Sequence, residues 1–159
     1  MKEYHKKLNL KYASRTVYAP QWLDTYKEYY DYDTRVVKIF RLESEKIIME
    51  NIDGFILSNE EEMKKLDLKK LRYIINEVFD IWVNQWKFTT KYLEDDQLWI
   101  HNDFNIDNLM YADGRVRLID PDSFVKKTIS KGILCSGNLR YGKFFETYTR
   151  LLSLIGMNK

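Results

Sequence analysis

Oxygen-bearing side chains crowd into one short stretch, HNDFNIDNLMYADGRVRLIDPDSF at residues 101–124, where Asp103, Asp107, Asn108, Asp113, Asp120 and Asp122 stand in apolar company. Solvent accepts such a run anywhere, but burying part of it needs a cation or hydrogen-bond donors. Carboxylate and amide oxygens are the ligands that magnesium prefers, which makes Asn108 and Asp120 suitable metal ligands if the chain folds them together. Phosphoryl transfer needs an anionic nucleotide, a divalent ion to neutralise it and a residue that orients the incoming hydroxyl, here Asp103. An unperturbed aspartate, with a pKa of about 3.9, is a weak base, so orientation is the larger part of that role.

The elements that must position these residues can be read from periodicity. NLMYADGRVRLID predicts two short strands joined by an Ala-Asp-Gly turn, which makes Asp113 a turn residue. Upstream, Leu71, Ile74, Ile75, Val78, Phe79, Trp82, Val83 and Trp86 form an apolar stripe at helical spacing, predicting a long helix from Ser58 or Asn59 to about Tyr92, broken near Asp67. Pro20 opens a predicted short amphipathic helix through PQWLDTYKEYY. Val36 to Leu42 and Lys46 to Ile52 predict an antiparallel hairpin around Glu43, Ser44 and Glu45. Residues 10–18 are weak strand candidates, 126–142 read as a glycine-bearing loop, and a closing helix carrying Phe144, Phe145, Tyr148, Leu151, Leu152 and Ile155 ends at Gly156. The abrupt change at residues 53–58 marks a lobe boundary, dividing the chain into 1–53 and 54–159.

Composition narrows the function classes. The 159 residues, 45% hydrophobic and 31% charged, suit one globular domain or two small lobes around a cleft. A net charge of +2, with both signs interleaved, speaks against specific nucleic-acid binding. No apolar run approaches the length of a membrane span, and the start MKEYHKKLNLKY has no apolar region behind it, so a cytoplasmic protein without signal peptide or membrane association is expected. The single cysteine, Cys135, excludes an intramolecular disulfide, and with only His5 and His101 beside it there are too few soft ligands for a structural zinc.

HNDFNIDN, residues 101–108, resembles the kinase catalytic-loop pattern H-x-D-x-x-x-x-N, and LIDPDSF lies where that family carries its metal-binding Asp-Phe-Gly motif, twelve positions beyond Asn108. The chain resembles the protein-kinase-like superfamily, in the branch of aminoglycoside and choline phosphotransferases. The resemblance implies an α+β fold with a reduced N-terminal β lobe and a mostly helical C-terminal lobe. It also implies ATP and Mg2+ as cofactors, Asp103 as the catalytic residue, Asn108 and Asp120 as metal and nucleotide ligands, and a structural role for His101. Asn105 departs from the family, which carries Lys or His there. Asp107 caps a turn or faces solvent, and Asp122 is either a second metal ligand or a loop-stabilising carboxylate.

In the same resemblance MENIDG is the hinge, with the backbone of Glu50, Asn51 and Ile52 bonding the adenine. Glu28, on the helix at 20–31, is the candidate partner of the phosphate-binding cation, for which Lys11 and Arg15 are the candidates in the strand before it. Lys38, just ahead of the hinge hairpin, has a surface role. All six glycines lie at or after Gly54, so these residues supply no glycine-rich loop ahead of the hinge. The short stretch 125–142 favours a small-molecule hydroxyl over a peptide as acceptor. A non-catalytic kinase-like module that engages a protein partner or a second copy is the alternative reading, and a metal-dependent phosphodiesterase a third that leaves MENIDG unexplained.

Overall fold

The β-rich runs before and after Ser44 pair as their alternation requires. In the computed structural model, which describes residues 2–8, 17–19, 21–94, 97–128 and 141–157, β2 (Ile39–Glu43) and β3 (Lys46–Glu50) are antiparallel across a turn at residues 44 and 45. A further strand, β1 (Glu3–Lys7), lies on the other side of β3, with Lys6 opposite Ile47, so the sheet order is β1-β3-β2. Its residues EYHKK are too polar to stand out as a strand.

Helix α1 (Trp22–Tyr32) buries Trp22, Thr25, Tyr26 and Tyr29, the three- and four-residue spacing of an amphipathic helix. The long helical region breaks where expected. α2 (Glu60–Lys64) is capped by Asn59, and Asp67 caps α3 (Leu68–Tyr92) by accepting from the Lys70 amide at 2.8 Å. A two-residue strand, β4 (Phe55–Ile56), pairs with β6 (Leu109–Ala112), which forms a hairpin with β7 (Arg115–Leu118). Asp113 and Gly114 turn that hairpin with φ of 50° and 75°, the left-handed values a tight hairpin needs. β5 (Gln97–His101) pairs with β8 (Phe124–Thr128), so the first residues of the expected loop at 126–142 are strand instead. α4 (Tyr141–Met157) continues through Gly156 rather than ending there. Pro20, Lys11, Arg15 and Cys135, with most of residues 10–18 and of the 126–142 loop, lie outside the described residues.

The described architecture is thus α+β, with four α-helices and three small antiparallel sheets. None of these helices is long and apolar enough to cross a membrane. One hydrophobic cluster runs from Val36, Val37 and Ile47 through Ile74, Val78 and Phe88 to Leu151 and Leu154. At its centre Trp99 stacks on Phe124 with centroids 5.3 Å apart, and Trp22 donates its indole N–H to the Phe124 carbonyl at 2.8 Å. The Val37 amide bonds the Leu118 carbonyl at 3.0 Å, and the Leu118 amide bonds that of Arg35 at 2.9 Å. Residues on both sides of the expected boundary at 53 therefore share one core, and the segment ahead of β2 is tied to β7.

Candidate functional site

β5 delivers His101 into the interior, leaving it 2% exposed, and the chain then turns through residues 102–105 into a short 3-10 turn at Ile106–Asn108. His101 holds two loops at once. Its Nε2 lies 2.9 Å from the Ile119 carbonyl and 3.1 Å from that of Asp120, and its Nδ1 lies 3.3 Å from the Asp103 amide. Two carbonyls on one side and an N–H on the other dictate the neutral tautomer with the proton on Nε2. Burial lowers the His101 pKa, which keeps the ring neutral in that role.

Asp103 is oriented from two sides. The Asn105 Nδ2 donates to its Oδ1 at 3.0 Å and the Asn108 Nδ2 to its Oδ2 at 3.2 Å, with a second Asn108 bond to the Asp103 carbonyl at 2.9 Å. Asn105 holds Asp103 and accepts the Asp107 amide at 2.9 Å. Asp107 itself is exposed. The Asn108 side-chain amino group is engaged by Asp103, and the Asn108 backbone carbonyl accepts the Ile119 amide at 2.9 Å. That bond brings the two loops side by side.

Asp120 stands at φ 63° and ψ 59°, a left-handed conformation that costs a non-glycine residue about 1 kcal/mol or more and is concentrated at functional sites. The Ser123 hydroxyl donates to its Oδ2 at 2.5 Å, and the Lys6 ammonium contacts the carboxylates of both Asp120 and Asp122. Burial acts to raise the Asp120 pKa, but the bonds from Lys6 and Ser123 outweigh it and leave it lowered. Asp122 moves the other way, because burial and its acidic neighbour exceed what Lys6 returns. For Lys6 burial works against the charge, and the Asp122 and Asp120 carboxylates more than compensate, so its pKa is raised.

Of these residues Lys6, Asn108 and Asp120 border a cavity of about 280 Å³, which Val37, Met49, Glu50, Asn51, Ile52 and Met110 also line, while Asp103 and Asp122 are not among its lining residues. Its volume is close to the lower end of small-molecule pockets, about 300 Å³. Glu50, Asn51 and Ile52 form one wall. The Glu50 amide already bonds the Lys38 carbonyl at 2.9 Å and the Asn51 amide the Lys2 carbonyl at 2.9 Å, while the Glu50 side chain accepts from Arg117. Glu28 is exposed on α1, and Lys38 is half-buried with its Nζ 5.9 Å from the centre of the Tyr30 ring.

The residue that sequence reasoning missed is Lys6. Its signal was the alternation of Tyr4 and Lys6, which places both on one face of β1. Among the described residues no three His, Cys, Asp or Glu side chains gather as a metal-binding group. The oxygen donors at the cavity are the Asn108 amide and the Asp120 carboxylate, the latter engaged by Lys6 and Ser123, and hard oxygens of this kind are the type that magnesium takes with retained waters. No family model matches the chain, and no curated protein matches its sequence.

Proposed function

We propose that the protein is a kinase-like phosphotransferase that uses Mg2+ and ATP to phosphorylate a hydroxyl of a small molecule, with a protein-kinase-like fold reduced at its N-terminal lobe. The observation that supports this reading is that His101 ties the Asp103 and Asp120 loops together and Asn108 bonds Asp103, while Asn108, Asp120 and Lys6 line one cavity. A phosphoryl donor needs such an arrangement: a hydroxyl-orienting carboxylate beside, rather than inside, a cation-binding pair. Magnesium, when bound, neutralises the polyphosphate and the charge that develops on transfer.

The protein's own residues carry the rest. Asn108 and Asp120 would hold the cation, and the part of the cavity lined by Glu50, Asn51, Ile52 and Met110 would receive the base. Lys6, which lines the cavity, would be the cation that meets phosphate oxygens, a role for which Lys11 and Arg15 are the candidates in the sequence. Asp103, held by Asn105 and Asn108, would accept a hydrogen bond from the acceptor hydroxyl and take its proton late in the transfer. Asn105 supplies aim to Asp103 where the family supplies a charge to the phosphate.

Calorimetric titration of ATP with magnesium into the wild type, Asp120→Ala and Asp103→Ala tests the reading. The expected result is binding in the wild type, loss in Asp120→Ala and retention in Asp103→Ala, with phosphoryl transfer down about a hundredfold or more in both variants. A wild type that binds no nucleotide overturns it and leaves the non-catalytic module.

A further inference from the structure

The position of the Lys6 ammonium has a consequence for how the site fills, resting on the phosphotransferase reading of the same cleft. Lys6 touches both Asp120 and Asp122 with its side chain 25% exposed, and it lines the cavity together with Asn108 and Asp120. An ammonium between two carboxylates occupies the place that a divalent ion bound to Asp120 would take. Both cannot neutralise the same oxygens at once.

We propose that Lys6 is a built-in place-holder for the metal: it sits on Asp120 and Asp122 while the cleft is empty and must turn into the cavity before a divalent cation can bind. Its flexible four-carbon stem permits the turn, and the half-buried setting penalises any state in which the ammonium has no anionic partner. Metal arriving alone evicts Lys6 without offering a replacement. A polyphosphate in the cavity offers one, so metal and nucleotide assist each other, and by linkage the assistance is equal in both directions. Asp122 then has a defined part, keeping the ammonium over Asp120 in the empty site, a role distinct from both of its sequence readings.

Manganese titrated without nucleotide into the full-length wild type, Lys6→Met and Lys6→Arg supplies the first arm. Lys6→Met is expected to bind manganese about tenfold more tightly than the wild type, within the ordinary range of coupling between sites. Lys6→Arg is expected to bind it no more tightly than the wild type, because a guanidinium fork pairs with the carboxylates at least as well as an ammonium. The second arm needs no variant. Labelling of the Lys6 amine in the wild type, mapped by mass spectrometry, should rise when manganese is added and fall when ATP follows. Unchanged labelling on adding manganese, or equal manganese affinity in the wild type and a folded Lys6→Met, overturns the proposal. Absence of ATP binding would instead overturn the phosphotransferase reading, and the manganese arm would still decide the place-holder role.

Discussion

His101 shows how one side chain can set the geometry of two loops. Its ring is neutral in the fold because burial lowers its pKa, so the unfolded chain takes up a proton more readily than the folded one. A depressed folded pKa means that the contribution is fully present above about pH 6.5, the unfolded value, and is lost as pH falls through the folded value. His101→Gln should therefore be less stable than the wild type by about 2 kcal/mol at neutral pH, having lost bonds to buried carbonyls. That deficit should shrink as pH is lowered from about 7 to about 5. Urea unfolding at the two values measures it, and a constant deficit would refute the assignment of the neutral ring.

At the scale of elements, the breaks between helices and strands decide where the site stands. Asp67 separates α2 from α3 by capping the longer helix, and α3 packs against β5 and β7, the strands that lead into the two site loops. Asp67→Ala should cost about 1 kcal/mol, read as a lowered urea midpoint with unchanged slope. Gly54, at the entry to β4, lies so close to the hairpin that a Cβ there would overlap the Tyr111 carbonyl oxygen and stand 2.7 Å from the Ala112 Cβ. Both neighbours are short and fixed, so they cannot swing aside. Gly54→Ala should destabilise by about 2 kcal/mol, an overpacking cost visible in thermal unfolding. An unaffected melting temperature would mean that β4 is not held against β6 as described.

For the molecule as a whole, ties across residue 53 matter more than the boundary. Arg35 binds Asp33 and Asp80 at 2.8 Å and Glu77 at 3.2 Å, and Asn84 donates to Asp33 at 2.9 Å, which fastens the segment before β2 to the middle of α3. Asp33 is 5% exposed, so removing Arg35 would strand a buried charge, at a cost of about 3 kcal/mol or more. With a shared hydrophobic cluster as well, the protein should unfold in one cooperative step. Far-UV circular dichroism and the fluorescence of Trp22, Trp82, Trp86 and Trp99 should give coincident urea transitions. Arg35→Met should move both transitions together, and their separation would show two independently stable parts.

Local rules carried a good share of this picture. The β2–β3 and β6–β7 hairpins, the helix break at Asp67 and the turn at Asp113 and Gly114 all follow from neighbouring residues, because turn chemistry, capping and periodicity act over a few positions. The dense acids of residues 101–124 were visible for the same reason. What sequence could not show was which cation meets them. Lys6 lies more than a hundred positions away on a strand whose polar residues hide its alternation, and only the pairing of β1 with β3 brings it over Asp120. Likewise β8 became a strand because β5 offers it a partner, an interaction that neither segment encodes alone. The kinds of chemistry available were thus written in one short segment, while long-range pairing decided which charge would sit in it.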